Sequence, residues 1–356
     1  MKFSSVDQLL KNPVSFLDDS GPDDDIAISS RIRLARNIGK YPFPSSASAE
    51  VLQEVCDMVS SAAMASEALG GRKMLIFDPA VMSPVDREIL LERRLASREF
   101  IRTPEHRKLF VCPDEACSLM INEEDQLRIQ TIRPGFQLHE VWKAVNRIDD
   151  DLSRNLDYAF DEQLGYLTSC PTNVGTGMRA SVMLHLPGLV LTGQIAPTIQ
   201  GISKLHLAVR GIFGEGSDNS GNLFQISNQN TLGESELKII DELESVIRQL
   251  IQQEKNARRT LLEENRYAVL DHVGRSYGLL RHSYKLGFKE ALQSLSGLRI
   301  GVDMGLFSTI DIHRVNDLFI GITPAHLKKN SDTPMNDDEV EIFRAALCRE
   351  KLRQMS

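Results

Sequence analysis

The chain has 356 residues, of which 42% are hydrophobic and 25% are charged, and its formal net charge is -8 at pH 7. This composition is that of a globular protein with room for two domains. The acidic excess argues against a nucleic-acid binder, and no apolar stretch reaches the length needed to cross a membrane. Because the N-terminus lacks the basic and apolar segments of a secretion signal, we expect a cytoplasmic protein.

The cysteines give no sign of a disulfide framework or of a zinc site. There are 5 of them, and they form neither a CxxC pair nor a cluster with histidines at metal-ligand spacing. Reduced thiols are therefore expected.

Predicted elements begin with an alternating, β-branched strand at residues 26–35, which places Ser29, Arg31 and Arg33 on one face. The spacing then predicts helices at 48–69 and 84–96, strands at 108–112, 116–121 and 127–132, and a helix at 138–158.

The second half of the chain contains short strand patterns separated by glycine and proline, without regular strand–helix alternation, at 164–169, 181–186, 189–191 and 205–209. Beyond Thr231 a long amphipathic helix leads into a charged, helix-rich tail. The pattern predicts an α+β fold, with a mostly antiparallel sheet flanked by helices and a C-terminal helical domain. We place the boundary within 252–262, which gives domains 1–255 and 256–356.

Acidic residues are absent from residue 163 to residue 214, whereas Arg179, Lys204 and Arg210 remain there. Such a gap is most often a buried run of strands and loops. Arginines kept within it need anionic partners, however, and a bound phosphate would supply one.

The common nucleotide-binding motifs are missing. No GxxxxGK[ST] loop exists, and the GxGxxA match at 175–180 has no acidic residue after it until Glu215. The sequence HRVND at 313–317 lacks the DFG motif and glycine-rich loop of protein kinases. A nucleotide would therefore have to bind in another way.

Arginines on strands and beside glycine turns offer that alternative. Each by itself is more often a surface residue, but together they suit the spread negative charge of a triphosphate. The set is Arg31, Arg33, Arg128, Arg179 and Arg210.

Three carboxylates occur together in the segment Asn122-Glu123-Glu124-Asp125. In isolation this segment is an ordinary charged turn. Beside an arginine cluster, a carboxylate can orient a cationic guanidinium substrate and remove its proton, which has a pKa above about 12. Cys170 follows a strand and is either an inert thiol or a thiolate that pairs with the cation.

These segments resemble the guanidino (phosphagen) kinase family from Ile28 to about Glu236. The motifs SSRIRLARN at 29–37, NEED at 122–125, CPTN at 170–173, RASV at 179–182 and RG at 210–211 with Glu215 stand in the family's order and approximate spacing. The resemblance implies the family's antiparallel sheet with flanking helices, ATP as phosphoryl donor, and Mg²⁺ bound through the nucleotide phosphates.

The resemblance also implies roles for residues. The arginines hold the ATP phosphates, and Arg179 also counts among the catalytic groups. Glu124 is the base, and Glu215 is a second ligand of the guanidinium. Cys170 lies beside the acceptor nitrogens. The implied nucleotide-binding set is Ser29, Ser30, Arg31, Ile32, Arg33, Arg94, Arg128, Arg179, Ala180, Ser181, Val182, Met183, Arg210, Gly211, Ile212, Phe213, Gly214 and Glu215.

Within the family, the chain is most similar to the bacterial protein-arginine kinases. Only 28 residues precede Ser29, whereas creatine and free-arginine kinases carry a helical domain there. The segments 210–217 and 224–229 also look like that branch, which modifies arginine side chains of proteins and has a dimerising C-terminal helical domain. The resemblance thus implies arginine-bearing protein substrates, a homodimer, an activator or protease partner in protein quality control, and no nucleic-acid or membrane partner.

Three positions depart from the family pattern. Arg94 replaces a histidine near the nucleotide, and Gln126 replaces the histidine that follows NEED. The RDxxRA motif of the branch, a phosphoarginine pocket, corresponds to 340–345, where the leading arginine is replaced by Val340. We expect an ATP-dependent kinase that produces phosphoarginine in proteins; the alternatives are a kinase of free arginine or another small guanidine, and a nucleotide-binding adaptor without turnover.

Overall fold

The computed structural model describes residues 3–18, 20–70, 73–211, 220–331 and 333–355. Its strands are β1 (Ala27–Arg36), β2 (Leu75–Phe77), β3 (Lys108–Val111), β4 (Cys117–Ile121), β5 (Leu127–Pro134), β6 (Phe160–Asp161), β7 (Gly165–Tyr166), β8 (Met178–His185), β9 (Leu207–Gly211) and β10 (Leu223–Asn228). An 8-stranded sheet has the order β2-β3-β4-β5-β1-β8-β10-β9, while β6 and β7 form a separate hairpin. Every neighbouring pair is antiparallel.

Helices surround this sheet and continue to the C-terminus. They are α1 (Ala49–Ala65), α2 (Pro84–Glu92), α3 (Arg98–Arg102), α4 (Leu138–Ser153), α5 (Pro187–Leu191), α6 (Ile195–Ser203), α7 (Glu236–Glu264), α8 (Arg266–His282), α9 (Phe288–Asp303), α10 (Ile312–Gly321), α11 (Pro324–Lys329) and α12 (Asp337–Met355). Serine side chains cap α1, α2, α3 and α7 by accepting a first-turn amide hydrogen, which explains where these helices begin. None of the helices in the described ranges is both long and apolar enough to cross a membrane.

The two faces of the sheet differ in chemistry because side chains alternate along each strand. Ile32 and Leu34 of β1 point into the main core, where they join residues of α1, α4 and α7. Arg31 and Arg33 therefore project from the opposite face, which we call the arginine face.

The C-terminal helices pack over one end of the arginine face. Met183 of β8 belongs to the same apolar cluster as Leu292 of α9 and Phe319 of α10. Arg299 of α9 fixes this arrangement, since it donates to the carbonyl oxygens of Asp24 at 2.7 Å and Asp25 at 3.1 Å. The C-terminal helices are thus attached to the chain that leads into β1.

The predicted α+β class, with an antiparallel sheet and flanking helices, is confirmed. The prediction of a strand at 189–191 is wrong, because this segment lies in α5, whose first amides from Gly188 and Leu189 donate to the buried carboxylate of Glu254. The strand predicted at 164–169 is shorter in the structure, where only β7 is found. The helix predicted to end at 158 ends at Ser153. Strands β2 and β10 were not predicted.

Candidate active site

A cleft of about 1320 Å³ opens over the arginine face. The central strands form its floor, and α2, the N-terminal segment and the C-terminal helices form its sides. Strand register brings its charged residues together: Arg33 of β1 faces Arg179 of β8, and Ala35 of β1 faces Arg128 of β5. Arg31 lies two residues before Arg33 on the same face, so the arginines form a contiguous patch.

The arginines are half-buried and repel one another. Burial, followed by the charges of Arg94, Arg128 and Arg179, lowers the pKa of Arg31 to about 9. Burial, followed by the charges of Arg31, Arg128 and Arg179, holds the pKa of Arg33 well below its ordinary value. The Nε atom of Arg33 is buried without a hydrogen-bond partner. A polyanion would relieve the repulsion and satisfy this donor.

Neutral side chains on β10 orient two of the arginines, one on the adjacent strand β8 and one on β1 beyond it. Arg31 Nη2 donates to Gln225 Oε1 at 3.1 Å, and Arg179 Nη2 donates to Ser227 Oγ at 3.1 Å. Gln225 also pairs in register with Arg210 of β9. Strand β10 therefore positions guanidinium groups without neutralising them.

Arg94 enters the cleft from the end of α2. Its φ of 60° lies in the left-handed region, and its guanidinium carbon lies 4.9 Å from the centre of the Phe16 ring. Gln130 Nε2 donates to the Arg94 carbonyl oxygen at 2.8 Å, which ties this turn to β5. Burial lowers the pKa of Arg94 to about 10.

The NEED segment forms a tight turn between β4 and β5. Asn122 has a φ of 57°, and its Nδ2 donates to the carbonyl oxygens of Leu52 at 2.8 Å and His106 at 2.9 Å. Asparagine adopts this left-handed conformation more readily than most residues. The turn thus sets the direction of the carboxylates that follow.

The first two carboxylates of this turn have opposite pKa shifts. Glu123 accepts from Arg128 Nη1 at 2.6 Å. Burial opposes the ionisation of Glu123, but the charge of Arg128 and hydrogen bonds from Ser97 and the Glu124 amide outweigh it and lower its pKa to about 2. In contrast, burial and the charges of Asp125 and Glu123 raise the pKa of Glu124. Glu123 is therefore a fixed anion, whereas Glu124 is the better proton acceptor.

Asp125 connects this turn to the segment that carries Cys170. One oxygen of Asp125 accepts from Asn37 Nδ2 at 2.7 Å and from the Ser169 amide at 2.7 Å. The Cys170 thiol hydrogen-bonds Glu124, which lowers the Glu124 pKa slightly against the larger upward effects, and lies 3.0 Å from Thr172 Oγ1. Glu124 and Cys170 consequently lie side by side at the edge of the arginine patch.

The structure brings nine of the 20 residues predicted for the site into this cleft. Arg31, Arg33, Arg94, Glu124, Arg128, Cys170, Arg179, Met183 and Arg210 line it. Ser29 and Ser181 lie on the arginine face but are buried. Ile32, Ala180 and Val182 point into the main core on the other face, Ser30 bonds Gly135 and Gln137, and Gly211 is buried at the end of β9. Ile212, Phe213, Gly214 and Glu215 lie outside the described residues.

Several cleft residues were not predicted from the sequence. Gln225 lines the cleft, and Ser227, two residues later on the same face of β10, bonds to Arg179; the period-two pattern of that segment could have revealed both. Ser97, Phe16 and the C-terminal residues of the cleft gave no such signal, because they arrive through tertiary packing.

Two family models together match most of the chain. The model described as ATP:guanido phosphotransferase, C-terminal catalytic domain, matches residues 53–257. The model described as Protein-arginine kinase McsB C-terminal domain matches residues 266–356.

Similar curated proteins cover nearly the full chain. The chain is 45% identical to the protein-arginine kinase of Pelotomaculum thermopropionicum over 96% of each chain. It is also 45% identical to that of Desulforamulus reducens over 99% of each, and 44% identical to that of Brevibacillus brevis over 98% of each.

Solved structures of guanidino kinases share the fold. Lombricine kinase superimposes with a TM-score of 0.56 at 25% identity, covering 67% of this chain and 69% of that one. The duplicated taurocyamine kinase from Schistosoma mansoni, with bound transition state analog components, gives 0.56 at 27% identity, covering 74% of this chain and 35% of that one. The chain therefore belongs to the ATP:guanido phosphotransferase family, in the branch of the protein-arginine kinases.

Proposed function

We propose that this protein is an ATP-dependent kinase that transfers the γ-phosphoryl group to the guanidinium of arginine residues in proteins. The observation that carries the proposal is the juxtaposition, in one cleft, of a half-buried arginine patch and the Glu124–Cys170 pair. The patch suits the phosphates of ATP, and the acidic edge suits a cationic acceptor. The names of the relatives agree with this assignment.

The mechanism follows from the placement of these groups. Phosphoryl transfer depends mainly on positioning and on neutralising negative charge, which Arg31, Arg33 and Arg179 provide. Glu124 accepts a proton from the guanidinium as its nitrogen bonds to the γ-phosphorus and the bond to the ADP oxygen breaks. Its raised pKa makes it a stronger base than an ordinary glutamate. We assign Glu215 as a second guanidinium ligand on the resemblance alone.

Magnesium would reach this site with ATP. No group of three or more His, Cys, Asp or Glu side chains suited to a metal ion exists in the described part of the chain. The ion would thus be held by nucleotide phosphates and water, which is a coordination that Mg²⁺ favours, and it would help to neutralise the phosphates.

We further propose a cytoplasmic homodimer with catalytic domain 1–255 and C-terminal domain 256–356. The junction falls near the end of the first family match at 257, inside the continuous helix α7. Tyr267 is 87% exposed and Leu279 is 41% exposed on α8, so this helix offers apolar surface to a second copy. An activator or protease partner in protein quality control rests on the resemblance.

Incubation with ATP and Mg²⁺ tests the activity directly. The acceptors are an arginine-rich unfolded protein and free arginine, and the products are measured by intact mass and by phosphorus NMR at neutral and acid pH. We expect acid-labile phosphate on the protein. The Glu124→Gln variant should lose about 10²- to 10⁴-fold in rate, because it keeps the shape of the side chain but cannot accept the proton.

The controls separate the alternatives. Asp271→Asn on the exposed face of α8 changes a carboxylate that does not line the cleft and should leave the rate unchanged. Phosphorylation of free arginine alone would show a kinase of small guanidines. ATP binding without either product would show an adaptor that lacks turnover.

A further inference from the structure

The arginine face becomes apolar toward one end of the cleft. On β8, Arg179, Ser181 and Met183 follow one another on this face, and on β1 the bulge between Ala27 and Ser29 brings Ile28 to the same end. Four residues of strand span about 13 Å. The apolar end is therefore separated from Arg179 by a distance on the scale of a ribose with its phosphate chain.

Residues of the C-terminal helices cover this apolar end. Phe288 begins α9, Phe319 and Ile320 end α10, and Pro324 begins α11, and all of them line the cleft. Phe319 belongs to the same apolar cluster as Met183. Hence the cleft has a floor from the sheet and an opposing wall from the C-terminal helices.

The N-terminal segment closes the space between floor and wall. Its Leu17 carbonyl oxygen accepts from Asn316 Nδ2 of α10 at 3.1 Å. Its Phe16 also lines the cleft and packs against Ile132 of β5 in one cluster with Ile320. The apolar end is thus bounded by aromatic rings from two separate parts of the chain.

Arg344 of α12 holds the wall in place from behind. Its side chain is 2% exposed, Nε donates to the Ile322 carbonyl oxygen at 2.8 Å, and Nη1 donates to that of Leu286 at 3.0 Å. The guanidinium carbon lies 5.4 Å from the centre of the Phe288 ring. One buried side chain therefore links Phe288 to the turn between α10 and α11.

The polar side chains in this wall already have partners within the protein. Asn316 Oδ1 accepts from Arg299 Nε at 3.1 Å, in addition to the bond that Asn316 donates to Leu17. The Thr323 hydroxyl lies 2.6 Å from Glu92 Oε2. A ligand at this end would therefore be bound chiefly by apolar and stacking contacts, which suit a planar heteroaromatic ring.

We propose that the C-terminal helices form the second wall of a nucleobase site, in which the purine ring of ATP lies between Met183 and Phe288. This inference rests on the proposed function, since it requires the triphosphate to lie on the arginine patch. It makes the C-terminal helices a structural part of nucleotide binding, so that any displacement of them weakens the affinity for ATP.

Calorimetric titration of Phe288→Ala with two probes tests this site. Loss of an aromatic stacking partner should weaken ATP binding by about tenfold, whereas inorganic tripolyphosphate, which has no base, should bind as it does to the wild type. Tyr284→Ala is the matched control, because it removes a ring that is 80% exposed and does not line the cleft. This control should leave both affinities unchanged.

A fluorescent reporter gives a second measurement. The chain contains 1 tryptophan, Trp142 of α4, so the double variant Trp142→Phe/Phe288→Trp has its single indole at the wall. ATP should change the fluorescence emission of this indole, and tripolyphosphate should not.

The outcomes distinguish this inference from the function on which it rests. Unchanged ATP affinity in Phe288→Ala, or equal affinity of the wild type for ATP and tripolyphosphate, would overturn the nucleobase site while the triphosphate site stands. A wild type that binds neither probe would overturn both.

Discussion

At the scale of single residues, the carboxylates of the NEED turn show how position decides chemistry. Glu123 and Glu124 are neighbours of the same type, yet the pKa of one is lowered and that of the other is raised. Contact with Arg128 accounts for the first shift, and burial beside other carboxylates accounts for the second. The proposed proton acceptor, Glu124, is the carboxylate that forms no ion pair with an arginine in the described part of the chain, whereas Glu123 pairs with Arg128.

This difference predicts a pH dependence. The charge of Asp125 helps to raise the pKa of Glu124 after burial, the largest cause. Asp125→Asn removes that charge but keeps an oxygen to accept from Asn37 and the Ser169 amide. A base with a lower pKa stays deprotonated at lower pH. The acid limb of the profile of kcat against pH should therefore shift by about 0.5 to 1 pH unit toward lower pH.

Rates between pH 5 and pH 8 measure this shift. The same substitution at exposed Asp271 serves as the control and should leave the limb where it is in the wild type. An acid limb that stays fixed or moves upward in Asp125→Asn would show that Glu124 does not set it.

At the scale of elements, the entry into β8 depends on a glycine. Gly177 has a φ of +61°, and a Cβ there would lie 2.6 Å from the Ala35 carbonyl oxygen and 2.7 Å from Arg36 Nη1. Arg36 cannot move aside freely, since it is buried and paired with Asp149 at 2.7 Å. Close packing of this turn on β1 fixes the position of Arg179, two residues later.

Gly177→Ala should therefore be strongly destabilising. Left-handed backbone alone costs an alanine about 1 kcal/mol, and the clash with β1 should raise the total to about 3 kcal/mol. Gly193→Ala is the matched control, because Gly193 has a φ of +71° with nothing within 4 Å of its Cβ position. Urea unfolding measures both, and equal losses in the two variants would mean that the clash is relieved by relaxation.

At the scale of the whole molecule, buried polar groups join the sheet to the C-terminal helices. His185 at the end of β8 lies 3.0 Å from Arg299 Nη1 and 2.8 Å from Ser296 Oγ of α9. Burial, together with the charges of Arg299 and Arg258, holds the pKa of His185 well below its ordinary value. A proton on His185 would thus place a third cation in this junction.

Stability should consequently fall in mild acid. The unfolded chain binds a proton on this histidine near pH 6.5 and the folded chain does not, so the folded state loses stability as the pH falls below about 6.5. The contribution of His185 to the slope of unfolding free energy against pH should reach about 1.4 kcal/mol per pH unit. His185→Gln should flatten the dependence of unfolding free energy on pH, whatever its effect at pH 7.

Urea unfolding between pH 5 and pH 7.5 measures this slope. His282→Gln changes an exposed histidine at the end of α8 and should retain the slope of the wild type. An equal slope in His185→Gln and the wild type would assign the acid sensitivity to other groups.

The sequence by itself determined the residue types of the site and the class of the fold. Alternation along residues 26–35 placed Arg31 and Arg33 on one face, because the side-chain period of a strand is independent of what surrounds it. The NEED and CPTN motifs indicated a base and a thiol, since short motifs carry their local geometry with them. Turn and helix signals were sufficient for an antiparallel sheet with flanking helices.

Only the tertiary structure decided which residues meet. The pairing of Glu123 with Arg128 and of Arg31 with Gln225 depends on strand register, which the sequence does not encode locally. Residues 189–191 look like a strand but are helical, because the distant Glu254 accepts the first amides of α5. Phe16 and Phe288 line the same cleft although they lie in distant parts of the sequence, because tertiary packing brings them together. Local patterns report periodicity and chemistry, whereas burial, register and the covering of the cleft arise from contacts between segments far apart in the chain.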